Sequence, residues 1–435
     1  LNYLGNGHHK RFDLTENKDY SLSPQTIQIL QDLKTPVHVV GFFTAGDPRQ
    51  TDAKDLLEEY KFYTDKLTYE FVDPDVQRAF ASQFENPYSG TIFFTVGDRQ
   101  QKAVTIDEQS LTSALLKVSS DKQKTVYFIT GHGERDLQQY DQPGYSQIKK
   151  QLEDENYQVA PLNLATITST VPSDASVLVL AAPIKELPQN ERDVLTSYLK
   201  RGGRMVVLTD PGFPNPLGPD MAAYGVDLYD AFVIDIPNAL LGDPLTPVIT
   251  RYSAHRITEQ LSNLATYFPL ARPIRLLDSP PMTLTVTSLM HTSPGGDISG
   301  QPNSWGDTAL NELLQAQPRI GYNPADKDVE GPLNLAVAVE DTASQARLVV
   351  FGDSDFVSNS GLSTMSGQVG NADLFLNAVN WAAEEEALIS VRSKPVTNRQ
   401  IFLTGPQLRL IFLTTILVLP LAVVVAGVAV WWRRR

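Results

Sequence analysis

The first 120 residues show short apolar runs that alternate with segments of helical periodicity. Residues 37–43 form a β-branched and aromatic run typical of a buried strand, and residues 52–67 carry apolar side chains at helical spacing. Ser23 followed by Pro24 indicates the start of an earlier helix, because serine favours the N-cap and proline the first helical position. The remaining elements predicted for this part are strands at 69–72, 91–96 and 102–106, and helices at 76–84 and 107–118.

The resulting order of elements, β-α-β-α-β-β-α, resembles that of a thioredoxin-like domain, which we predict for residues 1–120. The chain of 435 residues contains no cysteine. A redox dithiol, a disulfide, a thiolate zinc site and a cysteine nucleophile are therefore all excluded. Whatever this domain does, it is not disulfide chemistry.

A second series of strands and helices begins at Lys124. Its predicted elements are strands at 125–130, 177–180, 203–210, 335–339 and 347–351, and helices at 145–155, 189–200 and 371–384. Strands that alternate with helices indicate a doubly wound, mainly parallel α/β sheet, so we predict a flavodoxin- or amidotransferase-like domain over residues 121–385. Residues 211–332 are rich in proline, glycine and serine, which predicts a long insertion within this domain.

The C-terminal end is strongly apolar. From Leu410 to Trp432 roughly 23 residues carry no charge, a length that suffices to cross a bilayer. Trp431 and Trp432 occupy the place of an aromatic belt, and Arg433, Arg434 and Arg435 indicate the cytoplasmic side. We therefore predict a linker over 386–407, a transmembrane helix over 408–432 and a cytoplasmic tail over 433–435. The large domains would lie outside the cytoplasm, and a lost N-terminal anchor or signal segment before Leu1 would fit this arrangement.

The charge and the motifs exclude several classes of function. A formal net charge of −14 argues against a nucleic-acid partner, which requires a basic face. Neither a phosphate-binding loop of the type Gly-x-x-x-x-Gly-Lys-Ser/Thr nor a dinucleotide-binding Gly-x-Gly-x-x-Gly follows a predicted strand. The six histidines are too scattered to predict a metal site. We therefore predict no cofactor and no metal.

Polar residues follow three of the predicted strands. Residues 125–130 end in a glycine-flanked His132 with Glu134 behind it, residues 203–210 end in Asp210, and residues 347–351 precede Asp353 and Asp355. The carboxyl ends of strands in an open α/β sheet form the crevice where ligands bind, so these five residues are the candidate ligand pocket. The alternatives are a structural turn at His132 and helix caps at the two aspartates, and a magnesium ion at Asp353 and Asp355 is a weaker possibility.

The motifs occur in an order that resembles a known family. They are Arg11-Phe12-Asp13-Leu14-Thr15, Thr130-Gly131-His132-Gly133-Glu134, Gly352-Asp353-Ser354-Asp355-Phe356 and Gly370-Asn371-Ala372-Asp373. Together they resemble the GldG-like proteins, the auxiliary component of ABC-type transport systems associated with gliding motility. The resemblance implies an extracytoplasmic, membrane-anchored subunit that works beside an ABC permease and ATPase. The α/β domain of this chain also resembles that of an intraflagellar transport protein, which is a binding module. The family resemblance implies no catalytic residues.

We therefore predict a non-enzymatic subunit of the cell membrane that assists an ABC-type transport system by binding a substrate or partner proteins. One alternative is a hydrolase or carbohydrate-processing enzyme that uses His132 with Asp210, Asp353 and Asp355. Another is a structural scaffold. The enzyme requires these side chains to meet in one pocket, whereas a binding protein does not.

Overall fold

The computed structural model describes residues 22–84, 87–103, 105–119, 123–166, 170–298, 300–309, 320–363, 369–384 and 412–434. Two compact units are distinguished within it. The first contains the residues up to Lys124 together with Gln151–Gln158, and the second contains Thr125–Lys150 and Val159–Glu384. The predicted linker over 386–407, the motif at residues 11–15 and Arg435 lie outside the described residues.

The first unit is a four-stranded sheet with helices. Its strands are β1 (Val37–Phe42), β2 (Leu67–Val72), β3 (Thr91–Val96) and β4 (Arg99–Ala103), and its helices are α1 (Pro24–Asp32), α2 (Arg49–Tyr63), α3 (Arg78–Ala81) and α4 (Glu108–Ser119). The strand order is β2-β1-β3-β4; β1 and β2 are parallel, and the other two pairs are antiparallel. The predicted helix start is confirmed, because the Ser23 hydroxyl accepts a hydrogen bond from the Thr26 N–H at 3.2 Å.

Side chains alternate between the two faces of β1, and both faces are buried. Val39 packs in an apolar cluster with residues of α1, α2 and α4, whereas Phe42 belongs to an aromatic cluster on the other face. The Phe42 ring meets those of Phe84 and Phe93 edge to face, with centroids 5.2 and 5.9 Å apart. The observed order of elements is the predicted one. The thioredoxin-like assignment itself stays a prediction.

The second unit is built on a nine-stranded sheet of order β6-β5-β7-β8-β21-β20-β14-β9, with β15 paired to β20. The bounds of these strands are β5 (Lys124–Thr130), β6 (Tyr157–Asn163), β7 (Ala175–Ala181), β8 (Arg204–Leu208), β9 (Val226–Leu228), β14 (Ile274–Leu276), β15 (Leu284–His291), β20 (Asn334–Asp341) and β21 (Arg347–Phe351). The smaller strands are β10 (Phe232–Asp235), β11 (Ala239–Leu240), β12 (Asp243–Ile249), β13 (Thr266–Tyr267), β16 (Asp297–Ile298), β17 (Gln301–Pro302), β18 (Ser304–Asp307) and β19 (Val329–Glu330).

The helices that follow in the chain are α5 (Ser146–Asp154), α6 (Gln189–Lys200), α7 (Asn359–Ser363), α8 (Asn371–Ala382) and α9 (Leu419–Arg434). A π-helical segment, Thr414–Val418, precedes α9. The transmembrane helix predicted over 408–432 is not supported. Among the residues that the structure describes, no helix combines the length and apolar character needed to cross a membrane.

The main sheet is mixed, which corrects the prediction of a mainly parallel sheet. Strands β5, β7, β8 and β21 are parallel neighbours, but β20 is antiparallel to β21, β14 and β15. Only residues 342–346 connect β20 to β21, and so short a connection forms a hairpin and not a parallel crossover. The predicted insertion also contributes to the sheet, because β9, β14 and β15 come from residues 211–332.

Candidate functional site

Two neighbouring parallel strands deliver the three predicted aspartates to one edge of the sheet. Phe351 at the end of β21 lies in register with Leu208 at the end of β8. One residue later, the Thr209 N–H donates to the Phe351 carbonyl at 3.0 Å. Asp210 and the segment 353–355 therefore leave the sheet side by side, as the strand-end argument predicts.

Asp210 and Ser354 bind each other through two hydrogen bonds. The backbone N–H of Ser354 donates to Asp210 Oδ1, and its hydroxyl donates to Asp210 Oδ2, both at 2.6 Å. Both residues are buried, and hydrogen bonds to a carboxylate are stronger than those between neutral groups. This pair fixes the two strand ends relative to each other.

Arg135 completes the arrangement, although the sequence analysis did not single it out. Its Nε donates to the Ser354 hydroxyl at 2.9 Å, and its Nη2 lies 3.3 Å from Asp210 Oδ2 and 2.7 Å from Asp355 Oδ1. Its own N–H donates to the carbonyl of Ala181, the last residue of β7. We call Arg135, Asp210, Ser354 and Asp355 the strand-end cluster. Its members come from the ends of β5, β8 and β21.

The electrostatics of the cluster keep Arg135 charged. Burial by itself lowers the pKa of this guanidinium, but the carboxylate of Asp355 and then that of Asp210 raise it, and the net shift is upward. The pKa of Asp355 is raised, first by burial, although Arg135 opposes the shift. The buried Tyr145 hydroxyl donates to the Ser354 carbonyl at 2.7 Å, and burial raises the pKa of this phenol. The cluster is therefore a set of ion pairs, and the neutral Tyr145 stabilises it by donating to the Ser354 carbonyl.

Asp353 lies behind the cluster and is fully buried. Its Oδ1 accepts a hydrogen bond from the Asp355 N–H at 2.6 Å, whereas its Oδ2 has no hydrogen-bond partner among the described residues. Burial, followed by the negative charges of Asp210 and Asp355, raises the pKa of Asp353 far above the ordinary aspartate value. Burial at this position consequently favours the protonated, neutral form of the carboxyl group.

A second arginine, the buried Arg272, also hydrogen-bonds to the segments that follow these strand ends. Its Nη1 donates to the Thr209 hydroxyl at 3.2 Å and to the Phe213 carbonyl at 3.0 Å. Its backbone N–H donates to the Gly352 carbonyl at 2.5 Å. A Cβ added at Gly352 would lie 1.9 Å from the Arg272 carbonyl oxygen, so the close approach of these two backbones requires glycine.

His132 and Glu134 form a separate group with Glu191 of α6. The His132 Nδ1 lies 3.3 Å from Glu134 Oε1, and its Nε2 lies 3.4 Å from Glu191 Oε2. All three side chains are nearly buried. Among the described residues, no hydrogen bond or ion pair joins His132 or Glu134 to the strand-end cluster. The structure thus brings three of the five predicted pocket residues together and places the other two apart.

The glycines beside His132 allow the backbone conformation of the turn. Gly131 and Gly133 have φ angles of +126° and +83°, in the region that favours glycine. A Cβ at Gly133 would also lie 2.3 Å from Ile184 Cγ1. The glycine-flanked histidine therefore fits the alternative of a structural turn, in which the His132 ring faces Glu191 of α6 without a hydrogen bond to its Oε2.

The strand-end cluster has the chemistry of a binding site or of an ion-pair network that stabilises the fold. The Ser354 hydroxyl donates to Asp210 and accepts from Arg135. Within the described ranges no hydrogen bond joins this hydroxyl to His132, which the hydrolase alternative requires. In the described part of the chain, no group of three or more His, Asp or Glu side chains is placed to hold a metal ion. The weaker possibility of magnesium at Asp353 and Asp355 thereby loses its geometric support.

Arg135 and Glu191 are two of the residues that the sequence analysis missed, and their sequence signals were slight. Arg135 follows the predicted turn by one residue, and a lone arginine there has many possible partners. Glu191 lies in the first turn of a correctly predicted helix, where acidic residues are common for local reasons. Only the packing of α6 against the β5 turn reveals its contact with His132.

Comparison with solved structures finds similarity at low sequence identity. The mmIFT52 N-terminal domain is 13% identical, with a TM-score of 0.42, covering 60% of this chain and 97% of that chain. A thua-like protein from Bacteroides uniformis is 14% identical, with a TM-score of 0.30, covering 60% of this chain and 90% of that chain. A thua-like protein from Parabacteroides merdae is 14% identical, with a TM-score of 0.33, covering 61% and 91%. No functional argument follows from similarity at this level.

Comparison with family models is more informative. No curated protein matches the chain significantly. Residues 16–129 match a family model for a domain of unknown function. Residues 123–378, more than half of the chain, match the family described as an ABC-type uncharacterized transport system, and this range contains the strand-end cluster, His132, Glu134 and Asp353. The chain therefore belongs to this family of ABC-type transport system auxiliary proteins.

Proposed function

We propose that this protein is a non-enzymatic auxiliary subunit that works beside the permease and ATPase of an ABC-type transport system. The observation that carries the proposal is the family match over residues 123–378, which includes every residue of the candidate site. Within the family, we propose the GldG-like subgroup on the motif order of the sequence. A role in gliding motility would follow from that subgroup.

The geometry of the second unit supports binding over catalysis. A hydrolase of the kind considered above needs His132 within hydrogen-bond reach of a nucleophile or of the aspartates. The His132 ring nitrogens face Glu134 and Glu191 instead. Arg135 forms ion pairs with Asp210 and Asp355, so these two carboxylates are already engaged. A substrate or partner protein would meet Asp355, the most exposed carboxylate of the strand-end cluster, with 32% of its side chain accessible.

We extend the proposal to the location of the chain. The apolar run from Leu410 to Trp432, followed by Arg433 and Arg434, supports attachment to the cell membrane with both units outside the cytoplasm. This location suits a subunit that meets the transported substrate or other extracytoplasmic proteins.

Co-purification tests the proposal directly. The full chain, tagged and expressed at its natural level, is purified in mild detergent, and the proteins that accompany it are identified by mass spectrometry. Recovery of an ABC permease and ATPase in stoichiometric amounts is the expected result. Absence of both, in cells that express them, would contradict the proposal.

Two single variants, compared with each other, test whether the strand-end cluster contacts that complex. Asp355→Asn removes the exposed charge of the cluster, and Asp278→Asn removes an exposed aspartate elsewhere in the same unit. If the strand-end cluster contacts the partner, Asp355→Asn weakens co-purification and Asp278→Asn leaves it unchanged. Equal recovery with both variants would place the contact on another surface of the chain.

A further inference from the structure

The first unit contains a cavity that the function above does not use. Its volume is about 490 Å³, within the range of pockets that bind small molecules or short peptide segments. Its walls come from the end of β1, the segment that contains α3, and the loop before β3. The lining residues are Thr44, Pro74, Asp75, Arg78, Ala81, Ser82, Pro87, Tyr88 and Ser89.

Three of the lining residues carry polar groups without a partner among the residues that the structure describes. The Arg78 Nε donates to the Asp75 carbonyl at 3.2 Å, whereas its two terminal nitrogens have no hydrogen-bond or ion-pair partner in the described part of the chain. The same holds for the Tyr88 hydroxyl and the Ser89 backbone N–H. A guanidinium fork binds a carboxylate with two parallel hydrogen bonds, and a free N–H can pair with a peptide carbonyl.

Apolar surface accompanies these groups. Tyr88, which lines the cavity, is 59% exposed and is one of the three large apolar side chains that the described residues of the first unit leave open to solvent. Pro74 and Pro87 add rigid apolar walls. The Lys102 amine lies 4.3 Å above the Tyr88 ring centre and holds the ring by a cation–π contact. Apolar anchors beside a few oriented polar groups are typical of peptide-binding surfaces.

The loops around the cavity are fixed by their own hydrogen bonds. Asp47 accepts from the Arg49 guanidinium at 2.6 Å and from the Ser89 hydroxyl at 2.5 Å, and the hydrogen bond with Arg49 is the main cause of its lowered pKa. Asp73 accepts backbone N–H groups from Ala45 and Asp75 at 3.2 and 3.0 Å. These acids are therefore engaged, and the cavity is preorganised rather than formed on binding.

We propose that this cavity binds an extended peptide segment that carries an acidic side chain. The carboxylate pairs with Arg78, the neighbouring backbone carbonyl accepts from Ser89, and flanking apolar side chains lie on Tyr88 and Pro74. Asp75, exposed on the same rim, opposes the acid and limits its affinity. The site belongs to the first unit and does not depend on the transport role of the second.

Peptide arrays test the ligand class. The purified full chain is applied to immobilised nine-residue peptides, each with a central glutamate flanked by proline, valine, leucine or tyrosine, and to a matched array with central glutamine. The strongest binders are then measured in solution by fluorescence anisotropy. We expect saturable binding that weakens at least tenfold when the glutamate is replaced by glutamine. An array with no glutamate-dependent binder would overturn the proposal.

Variants locate the binding. Arg78→Gln should weaken it at least tenfold, Arg78→Lys less, and Tyr88→Ala several-fold, whereas Asp75→Asn should strengthen it by removing the opposing charge. The control is Lys54→Ala, an exposed cation of α2 outside the cavity, which should bind like the unaltered chain. Circular dichroism confirms that each variant is folded. Unchanged binding by folded Arg78→Gln would overturn the assignment of the site.

Inorganic phosphate separates a peptide site from a small-anion site. Phosphate at millimolar concentration should compete weakly, because it occupies only the Arg78 end of the cavity. If phosphate binds in an Arg78-dependent manner and none of the peptides does, the cavity is a small-anion site and the peptide proposal is wrong.

Discussion

Arg135 and Asp355 form an ion pair of 2.7 Å although 220 residues separate them along the chain. The pair joins the turn after β5 to the turn after β21, and Asp210 and Ser354 at the end of β8 and β21 share the same guanidinium. Arg135 therefore links the ends of β8 and β21 to the turn after β5.

Loss of Arg135 should destabilise the second unit. Arg135→Gln leaves Asp210 and Asp355 without their cation in a site where the arginine side chain is only 18% exposed. Removing one partner of a buried pair costs 3–5 kcal/mol, and partial exposure of Asp355 reduces the expected loss to about 2 kcal/mol. Urea unfolding of the full chain measures this loss. Arg256→Gln, which breaks an exposed pair with Glu259, should change stability by less than about 0.5 kcal/mol.

The pH dependence of stability should report the buried Asp353. Its pKa is higher in the folded chain than in the unfolded chain, so the folded state holds the proton more tightly. Stability linked to this group is therefore fully present below about pH 4 and is lost as the pH rises toward the folded pKa. Asp353→Asn cannot ionise, so its stability relative to the unaltered chain should increase between pH 4 and pH 8. Urea unfolding at several pH values measures the difference.

The control for that experiment is Asp278→Asn, because Asp278 is exposed. Its stability relative to the unaltered chain should stay level over the same pH range. A level difference for Asp353→Asn as well would show that Asp353 is ionised in the folded protein.

Gly352 should tolerate no side chain. In Gly352→Ala the new Cβ would meet the Arg272 carbonyl oxygen at 1.9 Å and the Leu335 carbonyl oxygen at 3.5 Å, and both are backbone atoms. Relief requires β21 to move away from the Arg272 segment, at a cost of about 3 kcal/mol. Thermal unfolding should show a clear loss. Gly295→Ala, at a position with open space around the Cβ, should melt close to the unaltered protein.

Protease protection tests the proposed location. With a tag added after Arg435, protease applied to cells stripped of any outer layer should digest both units and spare the tag. The reason is that arginines beside an apolar span favour the cytoplasmic side of a membrane. Digestion of the tag together with the two units would reverse the orientation, and survival of all of them would place the units inside the cell.

Local pattern was sufficient for most single elements. Helix α6 begins at Gln189 and ends at Lys200, and β21 runs from Arg347 to Phe351, both as predicted. The α/β class is likewise confirmed. These features depend on periodicity, caps and β-branched runs, which act over a few residues and are therefore readable from the sequence.

The tertiary structure decided which groups meet. The positions of Asp210, Asp353 and Asp355 after predicted strands correctly placed all three at one edge of the sheet. The sequence did not show that Arg135 pairs with Asp210 and Asp355, or that the His132 ring faces Glu191. The prediction of a mainly parallel sheet was wrong at β20, which is antiparallel to β21 and forms a hairpin with it. Side-chain partners and strand direction depend on contacts between residues far apart in the chain, and local sequence does not encode those distances.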